Sequence, residues 1–403
     1  SGADGDGTSF QKDATLAIHE DILDDDAETI ILQVQNLVDG SSGQASIGGA
    51  NTHTVTINDD DTASEANFDV PAGSGDVLIQ INGLNLEILV GGVVQSAAPV
   101  ATITDLNLTG PGDGSTISLD VSSGSLPTSI SVDGGGQDTL EITGSGSDAT
   151  IAYDGTDVQD GTVSIDGVTV TYDDIPNNTL VITGTNNLTL DFAGGDTGVA
   201  FNRLSATETV VSGSSFTTTN FTSPANSLTV NFTDTNNYTV DINDFADDFN
   251  PVTAGTDVDI NGNAGGGNVD LTIDQFGAFS GDLDIDLGSG TDLVNFVTTA
   301  QNYSSLSLAA ETIGATTAIT VSPGVTTLSG GAITLTNAAN DFVGNVTVTS
   351  GSNVSLVDAN TITLDSATLT AAYTVSAQDI NVVNSLNVGS IDFDAAATIA
   401  VNA

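Results

Sequence analysis

Acidic side chains are the one chemically versatile group that this chain concentrates. Two runs stand out: Ile18-His19-Glu20-Asp21-Ile22-Leu23-Asp24-Asp25-Asp26-Ala27-Glu28-Thr29-Ile30, and Thr54-Val55-Thr56-Ile57-Asn58-Asp59-Asp60-Asp61. Three adjacent aspartates at the end of a strand-like stretch repel one another strongly unless a cation bridges them. Calcium takes about six to eight oxygens in flexible geometry, so such clusters suit it. A solvated acidic turn is the alternative reading.

The whole chain leans the same way. Its 403 residues hold 53 acids against two bases, Lys12 and Arg203, for a net charge of −51. Such a surface repels nucleic acid and anionic lipid, which excludes both as direct partners. Only seven of the acids are Glu, and the other 46 are Asp. Aspartate suits tight turns, where its short carboxylate bonds the local backbone and can also ligate a hard cation. Calcium is therefore the expected cofactor, with a halophilic, water-holding surface as the bland alternative.

A third acidic pattern is Gly-x-Gly-x-Asp, at Gly134–Asp138, Gly144–Asp148 and Gly288–Asp292. Asp138 and Asp292 are each followed two residues on by an apolar residue, Leu140 and Val294. This resembles one turn of the calcium-binding nonapeptide repeat of secreted toxins, in which ions sit between successive turns. The resemblance implies half-sites for calcium at Asp138 and Asp292. A simple Asp–Gly turn is the other reading.

Other chemistries find little footing. No Gly-Lys-Ser/Thr pair exists to cradle phosphate, and the two histidines, His19 and His53, are too few for a transition-metal site. A polysaccharide lyase would need a basic residue, for which only Arg203 is a candidate in the body of the chain. A glycosidase needs two carboxylates, which are too abundant here to be informative. Trp is absent and only five Tyr exist to make sugar-stacking platforms. The chain is expected not to be an enzyme. Asn-x-Ser/Thr triplets at Asn107, Asn187, Asn220, Asn231, Asn302 and Asn345 are mostly chance in so Asn- and Thr-rich a chain.

The elements that must carry these residues are short strands. Stretches such as Ile117–Val121, Leu140–Ile142, Val168–Tyr172, Leu188–Leu190, Leu283–Leu287 and Ile333–Leu335 alternate apolar with polar residues and end in Gly, Asn, Asp or Ser. Period-two alternation with Thr on the polar side predicts an all-β chain. Val354, Tyr373 and Ile391 begin strands 19 and 18 residues apart, and Ile362, Ile380 and Ile399 begin others 18 and 19 apart. Two strands sharing one period predict the stacked coils of a parallel β-helix. Ile117, Leu140 and Val163 give a looser period of 23. The expected organisation is an N-terminal segment over 1–62, a Pro/Gly-containing linker over 63–75, irregular solenoid coils over 76–245 and parallel β-helix repeats over 246–403. Small sandwiches over about 69–245 are the alternative. A softer boundary lies at 243–268, around Pro251.

Residues 13–61 resemble the Calx-β domain, a calcium-binding β-sandwich, over a strand with an acidic turn (Glu20, Asp21, Asp25, Glu28), a second strand, and the closing Ile57-x-Asp59-Asp60-Asp61. The resemblance implies that Glu20, Asp21, Asp25, Asp59, Asp60 and Asp61 gather at one end of the sandwich as calcium ligands. Only the C-terminal half of such a domain is present, so another segment or another chain is expected to complete it. Residues 330–403 resemble the β-helical repeats of giant secreted bacterial adhesins of the filamentous haemagglutinin type. The carrying residues are Asn337–Val348, Val354–Asn360 and Ile362–Leu364. That likeness implies architecture and export, with no active site to carry over.

No run of about 18 apolar residues exists to span a membrane. The chain opens without Met or a basic, apolar leader, and is expected to begin inside a longer precursor or after its processing. The expected function is an extracellular structural protein forming a calcium-stabilised fibre, sheath or surface layer. The stalk of a large adhesin is the alternative, and a polysaccharide-active β-helix enzyme a distant third. Copies of itself, neighbouring surface proteins and glycans are the expected partners, at the cell surface or in the extracellular matrix.

Overall fold

The computed structural model describes residues 28–33, 52–57, 64–153, 158–175, 180–194, 198–246, 257–262, 266–276, 279 and 281–402. These residues are all-β, with two single-turn 3₁₀ segments, Val100–Thr102 and Val121–Ser123, and no α-helix. No helix among them is long and apolar enough to cross a membrane. One sheet of 30 strands dominates; a three-stranded sheet and a separate two-stranded hairpin complete the set.

Most strand pairs are parallel, and their registers bring like residues together. One apolar row runs Leu190, Val230, Ile260, Ile285, Leu308, Leu328, Val348, Ala367. Another runs Val199, Val240, Leu271, Val294, Ile313, Ile333, Val354, Tyr373, Ile391. Alternation places every second side chain of each strand on the inner face, and β-branched and aromatic residues fill those positions. The rows merge into a single apolar core from Ala66 to Val382. The triplets Val354–Tyr373–Ile391 and Ile362–Ile380–Ile399 are register partners, at the expected spacing.

Spacing between rungs shrinks along the chain. Partners in the second row are 41, 31 and 23 residues apart at its start, then 18 to 21. The long intervals of the first half hold antiparallel excursions. Val77–Asn82, Asn85–Val90 and Val93–Pro99 form one; Gly161–Ile165 with Val168–Asp173, and Val199–Arg203 with Glu208–Ser212 and Thr219–Thr222, form others. Here the even 23-residue series fails. Ile117 does pair with Leu140, but the next parallel partner of Leu140 is Leu180, and Val163 pairs antiparallel with Ile151 and Val170. The cause is a two-residue Asp166-Gly167 turn with φ of 53° and 81°, the backbone of a tight hairpin.

The segment 63–75, expected as a linker, contains the strand Glu65–Asp69, whose Ala66 and Phe68 are buried and which pairs in parallel with Asp105–Thr109. Its period-two apolar residues outweigh the Pro and Gly around it. Ladders also run across the expected division at 245/246, since Tyr238–Ile242 pairs with Val269–Ile273. In the N-terminal segment, Glu28–Gln33 pairs antiparallel with Thr52–Ile57, leaving Ile31 and Leu32 exposed.

Candidate functional site

Of the expected ligands, Glu20, Asp21, Asp25, Asp59, Asp60 and Asp61 lie outside the described residues. Glu28 begins the first strand of the hairpin, its Cα opposite Ile57. The ladder of Glu28–Gln33 with Thr52–Ile57 is what the structure describes of this segment, and the ligand set stays an implication of the resemblance.

Asp138 and Asp292 are placed in full. Both occupy the inner side of a strand's entry, two residues before the first apolar inner residue, and period-two alternation turns them inward. Asp138 is 0% exposed. Its Oδ2 accepts the Gly112 N–H at 2.8 Å, and its Oδ1 accepts those of Asp113, Gly114 and Ser115 at 3.1, 3.0 and 3.1 Å. Gly112 and Gly114 have φ of 63° and 91°, which turns the successive N–H groups toward one point and makes an anion-binding nest. Three of the four donors share Oδ1 and one meets Oδ2, out of about four lone-pair sites on a carboxylate. The carboxylate thus serves as the acceptor of an Asp–Gly turn, holding the Gly112–Ser115 corner of the preceding strand pair. Asp113, exposed in the same corner, accepts from the Ser115 hydroxyl and the Gly73 N–H, which hold its carboxyl below the usual range.

The middle Gly-x-Gly-x-Asp lies inside the strand Thr139–Tyr153 rather than in a turn. Register shifts at Ser147 mark a bulge against Leu180–Phe192, and Asp148 accepts from the Asn187 amide at 2.5 Å.

Asp292 differs from Asp138. It is 1% exposed; Oδ1 accepts the Val269 N–H of the preceding rung at 2.7 Å, while Oδ2 is buried without a partner. Its own N–H donates to Glu311 Oε2 of the following rung at 3.0 Å. Burial, then the contact and charge of the Glu311 carboxyl and the charge of Asp270, push the Asp292 carboxyl up to about 6, against the pull of the Val269 N–H.

Three more inner polar residues repeat this placement. Gln301 donates to the carbonyls of Asp274 and Thr299; Asn340 accepts the Ile319 N–H at 2.9 Å and donates to Leu335 O; Asp358 accepts the Phe342 and Asn360 N–H groups, both at 2.7 Å. Each sits on the parity of the buried apolar residues beside it: Tyr303, Phe342, and Val354 with Leu356. Reading only the motif missed Glu311, Asn340 and Asp358. Their visible signal is a polar residue on the apolar phase of a strand.

Among the described residues no group of three or more His, Asp or Glu side chains comes together to hold a metal ion. A family model described as repeats of unknown function (DUF5649) matches residues 280–349, the stretch that contains Asp292, Glu311 and Asn340. No curated protein and no solved structure matches the chain.

Proposed function

We propose that this chain is a rod-forming part of an extracellular structural protein, a fibre, sheath or surface layer, built as a parallel β-solenoid. The observation that carries the reading is the succession of parallel registers from Val199 to Val401, settling at 18 to 21 residues per rung. At about 4.8 Å between strands, the nine rungs of that ladder stack to roughly 40 Å. A family of repeats matching the middle of this region agrees with an array. Length, a dry thin core and no need for a pocket are what a spacer requires. Calcium enters this proposal at the N-terminal acidic runs, where the Calx-β-like hairpin would be completed by strands of another segment or chain. The site of action is the secreted or cell-surface environment, with copies of the chain or neighbouring surface proteins as partners.

Electron microscopy of the purified chain tests this reading. In millimolar calcium, filaments of variable length are expected, and chelator should shorten or disperse them. Single rods of one length that never polymerise would favour an adhesin stalk instead. Compact round particles would overturn both.

A further inference from the structure

The junction of the rungs at 266–276, 288–296 and 311–315 brings two acidic side chains together around a buried carboxylate oxygen, with no basic side chain within these three segments. Asp292 and Glu311 meet across two rungs, the Asp292 N–H on Glu311 Oε2 at 3.0 Å, and Asp292 Oδ2 is buried with no partner. Asp270, on the preceding rung, adds a third negative field. Lys12 and Arg203 are the only basic residues in the sequence, far from this junction in the chain. An ionised carboxylate removed from water must find a counter-charge or a proton.

Three further oxygens, one of them the other oxygen of Asp292, lie close together beside Gly290. A Cβ built on Gly290 would lie 2.7 Å from Gly267 O, 3.0 Å from Asp292 Oδ1 and 3.1 Å from Asn268 Oδ1. Asn268 Oδ1 and Asp292 Oδ1 each accept one backbone N–H, from Thr291 and Val269, and keep a further lone pair. Carboxylate, carboxamide and backbone oxygens in irregular array suit calcium, which tolerates variable geometry, better than magnesium, which demands an octahedron.

We propose that a calcium ion binds between rungs at this junction, bridging Asp292 and Glu311, with the remaining coordination from nearby backbone or Asn268 oxygens and water. The ion would join successive rungs much as the four N–H groups join them at Asp138, and it is independent of the N-terminal acidic runs.

Amide hydrogen exchange of the full chain at pH 7.5 and fixed ionic strength tests the site, comparing calcium, magnesium and chelator. Calcium at a hundred times its Kd should raise protection of the Val269 and Asp292 amides by on the order of a hundredfold, with magnesium much weaker. Glu311→Gln keeps an acceptor for the Asp292 N–H and removes one charge, so it should abolish the calcium effect at these two amides. Asp292→Asn should do the same. Equal protection in calcium and chelator would overturn the site. So would protection that ignores calcium but falls as the pH rises from 5 to 7.5, which would mean that a shared proton holds the pair. Filament formation is read separately by microscopy, so loss of this site leaves the fibre reading standing or falling by itself.

Discussion

Inner polar residues do here what disulfides or a thick core do elsewhere: they tie the turns, where the parallel ladder is interrupted, to the next rung. Asp138 is the fullest case. Asp138→Ala would leave four backbone N–H groups without their acceptor, of which only that of Ser115 belongs to a buried residue, and a buried donor left unpaired costs about 1–3 kcal/mol. A loss of about 1–3 kcal/mol in chemical denaturation is expected, and Asp138→Asn should lose less, since one oxygen remains. The same residue type has opposite pH signatures at two other corners. Asp234 loses some preference for charge to burial, but the Asn236 and Gly194 N–H groups and the Tyr238 hydroxyl outweigh it and lower its carboxyl. A lowered folded value gives stability that is present above the ordinary carboxylate range and lost as pH falls through the folded value. Asp358 is raised, by burial first and by Asp341, so its contribution is whole below the ordinary value and lost as pH rises toward the folded one. Asp358→Asn should flatten the stability profile above the ordinary carboxylate value of about 4, while Asp234→Asn should flatten it below that value. Unchanged pH profiles in both variants would remove these carboxyls from the linkage.

Strands depend on small residues where rungs approach most closely. A Cβ at Gly344 would collide with the Gly324 carbonyl oxygen, so Gly344→Ala must push two rungs apart. Ile333 is wholly buried between Ile313 and Val354, and Ile333→Ala should cost about 2–5 kcal/mol. Thr334, next in the chain but on the outer face, should tolerate Ala within about 0.5 kcal/mol. If the two positions cost alike, the assignment of inner and outer faces is wrong. This alternation was legible in the sequence, as were the C-terminal partners Val354, Tyr373 and Ile391, because 18-residue rungs leave room for nothing but strand and turn. The first half was not legible by period. Its hairpins insert about twenty residues between parallel partners, and the Asp166-Gly167 turn that makes one of them is a local signal that a search for period overlooks. Glu65–Asp69 was missed for the opposite reason: a strand of five residues is outvoted by flanking Pro and Gly unless Ala66 and Phe68 are read by phase. Asp138 and Asp292 were found by motif, but a motif could not say which oxygens their neighbours would already occupy.

At the scale of the molecule, the proposed solenoid implies a stability that is a sum of neighbour contacts along the ladders, each rung resting on the rungs before and after it. A charge of −51 strains such a stack, and added salt should raise its melting temperature, since exposed charges further apart than about 10 Å at 0.1 M are screened. Neighbour dependence also predicts a gradient at the strand Ser390–Val401. Its inner-phase residues continue the core rows in register, Ile391 on Tyr373 and Ile399 on Ile380, yet Ile391 and Ile399 are 52% and 50% exposed. Ile380 has Ile362 on one side and Ile399 on the other. The same truncation should therefore have different costs one rung apart: about 2–5 kcal/mol for Ile380→Ala, against less than about 1 kcal/mol for Ile399→Ala. Amide exchange should follow, with 390–401 opening before 372–382 in the isolated chain. Equal costs would mean that the outer edge of Ser390–Val401 is covered in solution, and dilution then separates the two ways of covering it. A cover supplied by another copy is lost as concentration falls, so Ile399→Ala would become cheap again. A cover supplied by the chain itself would leave the cost independent of concentration.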